Sequence, residues 1–76
     1  MEIIVSTSHQ GYRLTASAGP AHGGLHAADL IIEKPGGALK TFAALDYFFD
    51  RAHALTYATR WGRIWVDMRN QEARQA

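Results

Sequence analysis

The chain predicts an α+β domain, an antiparallel sheet of three or four strands (β-β-β-(β)-α) packed on one long C-terminal helix. Residues 50–68, DRAHALTYATRWGRIWVDM, hold no proline and repeat apolar side chains at helical spacing. Residues up to about position 45 instead alternate apolar and polar side chains in short β-rich runs broken by Gly and Pro. A series of strands followed by one amphipathic helix belongs to the layered class in which a helix covers one face of an antiparallel sheet. Residues 1–69 are read as one domain, and the polar residues 70–76 as a tail expected to fray.

Glu2–Ser8 (EIIVSTS) is β-rich and opens the fold as a strand. His9-Gln10-Gly11 supplies a turn, and Tyr12–Ser17 then alternates, so the pair predicts a hairpin. Tyr12, Leu14 and Ala16 would face the helix, leaving Arg13, Thr15 and Ser17 outside. Residues 19–24 (GPAHGG) read as a loop. His26–Lys34 is the third strand, with Leu30 and Ile32 on one face and Asp29, Ile31 and Glu33 on the other. Pro35-Gly36-Gly37 is a turn signal, and Ala38–Ala44 fits a fourth strand with Phe42 inward. Leu45–Phe49 (LDYFF) fits two descriptions: a continuation of that strand, or a turn feeding aromatics beneath the helix.

Asp50 is a strong N-cap, because its carboxylate can accept from free first-turn amides and faces the positive end of the helix dipole. Phe49 and Ala54 occupy the positions of a hydrophobic staple. At about 100° per residue, Leu55, Ala58, Gly62, Trp65 and Val66 form one apolar sector, the expected core face. Gly62 costs roughly 1 kcal/mol against alanine inside a helix, which predicts a close approach to the sheet there. A second stripe, Tyr57, Trp61, Ile64 and Met68, lies beside the first. His53, Thr56, Arg60, Arg63 and Asp67 make the polar face. The apolar arc is then roughly 200° wide, about twice what one sheet needs. The surplus is covered by loops of the chain, left half exposed, or buried against a partner, and large apolar patches on small proteins mark contacts. A membrane-surface role fits less well, since the polar face is not rich in lysine.

With 76 residues, the chain buries only about 60% of its unfolded surface, so its stability is marginal without a staple. It has no cysteine, hence no disulfide and no thiolate metal site, and oligomerisation is the staple left. The net charge of +1 is unevenly spread. Residues 1–50 carry three basic and five acidic side chains, whereas residues 51–76 carry five arginines against Asp67 and Glu72. The helix is the basic part of the molecule. Met1–Val5 has neither the length nor the charge of a signal peptide, and no apolar run approaches spanning length, so a cytoplasmic protein is expected.

Candidate chemistry is sparse. His9, His22 and His26 are the only group resembling metal ligands, but His22 and His26 sit in a Gly-rich loop running into a strand, with no cysteine and no obvious carboxylate as third ligand, so no metal or other cofactor is predicted. Asp46, Asp50 and His53 could form an acid–base group on paper, yet Asp50 is already committed as a cap and no nucleophile accompanies them. Neither Gly-Gly pair joins a strand to a helix as a phosphate loop must. No catalytic residue is predicted, and the chain is expected not to be an enzyme. Arg60, Arg63 and Arg69, with Trp61 among them, are the best candidates for nucleic-acid contact, through phosphate neutralisation and base stacking. The sequence pI near 8.2 is below the strongly basic values usual for such domains.

Gly11-Tyr12-Arg13-Leu14, Leu30-Ile31-Ile32, Phe49-Asp50 with Ala52, Trp61-Gly62-Arg63 and Trp65-Val66-Asp67 together resemble a group of small stand-alone bacterial proteins of unknown function. That resemblance spans residues 11–67 and implies a curved antiparallel sheet with a C-terminal helix ending in a Trp-Ile-Asp-like motif. It implies no activity. More distantly, three strands and a C-terminal helix resemble the arm-type DNA-binding domain at the N-terminus of tyrosine recombinases, which lays its sheet in the major groove. The outward positions here hold Arg13, Thr15 and Ser17 but also Asp29 and Glu33, two acids that repel phosphate. The function expected is a small interaction module, a homodimer or protein binder joined through Tyr57, Trp61, Ile64 and Met68. The alternative is a nucleic-acid-binding protein that uses the basic helix.

Overall fold

A computed structural model describes the backbone of residues 4–75 and the side chains as far as Glu72. Its elements are β1 (Ile4–His9), β2 (Tyr12–Pro20), a 3₁₀ turn (His22–Gly24), β3 (His26–Glu33), β4 (Leu39–Phe42), β5 (Tyr47–Phe48) and α1 (Arg51–Gln75). The strands form an antiparallel meander in the order β1-β2-β3-β4, with β5 also paired to β3, and α1 packs on one face. This is the α+β architecture the sequence predicts.

The β1–β2 hairpin turns on two residues, Gln10 at φ 50° and Gly11 at φ 86°. Positive φ at both central positions gives the turn whose twist matches that of the flanking strands. Register then runs unbroken from His9↔Tyr12 to Ile4↔Ser17. The alternation puts Leu14, Ala16 and Ala18 of β2 and Ala28, Leu30 and Ile32 of β3 under the helix, all buried. The expected loop at residues 19–24 is shorter than its composition suggests, because β2 continues to Pro20 and only His22–Gly24 turns.

Of Leu45–Phe49 only Tyr47–Phe48 is strand, and Leu45 and Asp46 form the bend that leads into it. Leu30 opposes Phe42, but Ala27 opposes Tyr47, so the register slips by two residues between β4 and β5. The Leu45 amide donates to the Ala28 carbonyl and the Ala28 amide donates to the Asp46 carbonyl, so residues 43–46 lie opposite Ala28 and Asp29, a bulge that inserts two extra residues. Ala44 takes the left-handed conformation there (φ 52°), and its amide donates to Asp29 Oδ1 at 2.7 Å. β4 and β5 are therefore one strand bent by a bulge. A slip of two preserves the alternation, so Phe42 and Phe48 both point towards the helix side. Tyr47 and Phe49 point away, and Phe49 is 80% exposed. The expected Phe49–Ala54 staple does not form, because Phe48 already takes the inward position next to it in the alternation.

Asp50 caps α1, its Oδ1 accepting from the Ala52 amide at 2.9 Å. The helix continues to Gln75, beyond the end expected near Met68. Its buried positions are Ala54, Ala58, Gly62 and Val66, with Leu55 and Trp65 partly buried at the sides. A Cβ on Gly62 would lie 3.0 Å from Leu30 Cδ2 and 3.3 Å from Leu14 Cδ1, which is the close approach the glycine predicts. Five of the nine core residues are alanines, and the large fully buried side chains are Leu14, Leu30, Ile32 and Val66. The interior is thin.

Candidate functional site

The two flanks of α1 are built differently. On the flank over β4 and β5, aromatics meet edge-on or tilted, with interplanar angles of 60°, 65° and 48°. Phe42 packs on Trp61 with centroids 4.7 Å apart, and Phe48 packs on Tyr57 at 5.2 Å. Trp65 sits between Phe42 (6.0 Å) and Tyr12 (6.2 Å), with the Arg69 guanidinium 5.0 Å above its ring. Edge-to-face pairs of this kind add to the area they bury.

The four residues of the expected partner stripe divide here into two pairs. Tyr57 and Trp61 are half-buried beneath side chains of the same molecule, so half of the proposed stripe is covered internally. Ile64 and Met68 are not, remaining 53% and 56% exposed. They border an open concavity of about 320 Å³ shared with Gln10, Asp67, Asn70 and Gln71.

On the flank beside β1, small side chains leave space. Val5, Ala52, Leu55, Thr59, Arg60 and Arg63 line an open groove of about 390 Å³ between the strand and the helix. Val5 faces it because the register pairs Val5 with the inward Ala16. The Thr59 hydroxyl is committed, donating to the Leu55 carbonyl at 2.9 Å. Among the described residues the one ion pair is His9 with Asp67, so Arg60 and Arg63 have no carboxylate partner there. Of the three candidate arginines, Arg60 and Arg63 thus border the groove, while Arg69 stacks on Trp65.

A polar clasp, which sequence spacing did not signal, closes the far end of the hairpin. Asp67 Oδ1 accepts from His9 Nε2 at 2.7 Å and from Gln10 Nε2 at 2.6 Å, and Asn70 Nδ2 donates to Gln10 Oε1 at 2.7 Å. These contacts hold Gln10 in its left-handed conformation and fasten the turn to the helix. His9, on the inner face of β1, is thereby separated from His22 and His26 at the other end of β2. Asp46 accepts from the Tyr47 amide and Asp50 caps the helix, so both carboxylates of the candidate acid–base group serve the local backbone. Among the described residues no three His, Asp or Glu side chains stand together as metal ligands, and no helix is long and apolar enough to cross a membrane. The chain matches no protein-family model, no curated protein and no solved structure.

Proposed function

We propose that this protein is a non-enzymatic interaction module that pairs with a second copy of itself through the helix ridge at Ile64 and Met68, with Tyr57 and Trp61 at its margin. The carrying observation is the exposure of Ile64 and Met68, 53% and 56%, at adjacent turns of one helix ridge. The thin interior favours self-association as the occupant. Four large fully buried side chains are a small core for a folded chain, and burial between copies is the stabilisation open to a small domain without disulfides. Rows of side chains spaced four apart on two helices interdigitate readily, and a two-fold axis makes the patch self-complementary.

Light scattering across a dilution series tests this. The natural chain runs as a dimer at micromolar concentration, and a double variant, Ile64→Glu with Met68→Glu, runs as a folded monomer with an unchanged circular-dichroism spectrum. A monomeric natural chain, or a variant that keeps the dimer mass, sinks the interface.

A second reading is favoured by one observation. Arg60 and Arg63 are exposed and free of carboxylates among the described residues, as a phosphate-contacting pair would be. With Arg69 they would bind oligonucleotide in a strongly salt-dependent way. No gel retardation at low salt with roughly tens of micromolar protein removes this reading.

A further inference from the structure

We propose that the open edge of β1, with the groove beside it, binds an extended acidic peptide by strand addition. This goes beyond the helix-ridge contact and uses the flank of α1 that faces β1. β1 is the outermost strand, and Ile4–His9 (IVSTSH) pairs with β2 along its whole length without a bulge. Sheet edges are ordinarily guarded by charge, proline or a bulge. The opposite edge follows that practice, with Lys40 in β4 and the bulge after Phe42. Ile4–His9 contains no proline and no Lys, Arg, Asp or Glu. In a hairpin with a two-residue turn the flanking residues form a hydrogen-bonded pair, so His9, Thr7 and Val5 bond to β2. The amide and carbonyl groups of Ile4, Ser6 and Ser8 therefore point to the open edge.

An added antiparallel strand would bond to Ile4, Ser6 and Ser8 and place its intervening side chains opposite Val5 and Thr7. Those are the non-hydrogen-bonded positions, where facing side chains come closest. They project over the groove, whose floor is apolar at Val5, Ala52 and Leu55 and whose rim carries Arg60 and Arg63. An apolar side chain flanked by two carboxylates on the same face matches that order. Ladder hydrogen bonds supply affinity in such recognition, and the alternate side chains supply selectivity. A second copy of this chain is a poor occupant. Two-fold pairing of β1 with β1 would line one shared trough with Arg60 and Arg63 from both copies, and like charges facing each other are unfavourable. A nucleic acid could meet the arginines but could not extend the ladder.

The test is a titration of the ¹⁵N-labelled full chain with acetyl-Thr-Glu-Thr-Val-Thr-Glu-Thr-amide, whose Glu and Val side chains share one face. The expected result is saturable shifts at the Ile4, Ser6 and Ser8 amides together with slowed exchange of those amides. Binding falls at least about tenfold when the two glutamates become lysines, and equally when the chain carries Arg60→Glu with Arg63→Glu. N-methylation of the probe's threonines abolishes it, whereas N-methylation of its valine leaves it intact. A neutral ridge variant, Ile64→Gln with Met68→Gln, binds as the natural chain does, which separates this site from the dimer ridge. Equal binding of the lysine probe, or indifference to threonine N-methylation, overturns the proposal. Displacement of the probe by oligothymidylate would assign the groove to nucleic acid, and concentration-dependent doubling of mass with shifts confined to β1 would assign the edge to a second copy. Either result overturns it too.

Discussion

The helix has one sealed flank and one open flank, although the same sheet underlies both. Over β4 and β5, Phe42, Phe48, Tyr57, Trp61 and Trp65 fill the space between sheet edge and helix, because a bent strand running antiparallel to α1 delivers one phenylalanine to each of two helix turns. Over β1, the inward positions are Val5, Thr7 and His9, and only the last reaches a helix side chain by hydrogen bond. The lesson is that side-chain volume at a sheet edge, more than strand order, decides whether a helix flank becomes core or surface. In a domain whose central layer is largely alanine, the aromatic flank carries a disproportionate share of the packing.

Truncation on the two flanks gives the largest contrast. Trp61→Ala removes the indole that covers Phe42 and is expected to cost about 3 kcal/mol, towards the low end for aromatic-to-alanine changes because the ring is only half-buried. Leu55→Ala, on the groove side, should cost less, about 1–2 kcal/mol, since part of the leucine already faces solvent. Urea denaturation of both variants reads the difference. Equal losses would mean that the groove flank is as much a part of the core as the aromatic one.

Gly62 lies on the line between the flanks and sharpens the same comparison. Alanine gains about 1 kcal/mol of helix propensity, but its methyl would meet Leu30 at 3.0 Å, and overpacking costs about 1–3 kcal/mol. The net expectation is a loss of about 1 kcal/mol by denaturant midpoint. A stabilised Gly62→Ala variant would mean that the helix lifts off the sheet freely, and that the aromatic flank does not fix its height.

Much of this organisation was legible in the residues. Tyr12, Leu14 and Ala16 disclosed their face through period two, Asp50 marked the helix start, and Gly62 announced close packing. The bulge was not legible, because the residue that takes the left-handed conformation, Ala44, carries no signal of it in its side chain. Without the bulge, Phe42 and Phe48 could not be placed against Trp61 and Tyr57, and the cover of the stripe stayed open between loops of the chain, solvent and a partner. Ile64 and Met68 survived as exposed residues because they lie beyond the reach of those two rings. The groove was invisible for a different reason. It arises from what Val5 and Leu55 fail to fill, and absence of volume between segments distant in sequence leaves no periodicity to read.

The smallest expected effect concerns the clasp that joins the flanks at the hairpin tip. Asp67 gathers His9 and Gln10 on one carboxylate oxygen, yet its side chain is 52% exposed, so solvent screens the interaction. Exposed pairs of this kind are worth about 0–1 kcal/mol, and Asp67→Ala should lower global stability by no more than that. Its local consequence should be larger. Gln10 keeps a left-handed backbone that a non-glycine residue adopts reluctantly, and the side-chain contacts to Asp67 and Asn70 compensate for it. Amide exchange at Gly11 and Tyr12 should therefore accelerate in Asp67→Ala while exchange at Leu30 stays unchanged, and Asp67→Asn, which keeps an acceptor oxygen, should show an intermediate rate. If exchange at Leu30 rose in step with that at Gly11, the tip would be part of the global folding unit, and the open flank would be held as firmly as the sealed one.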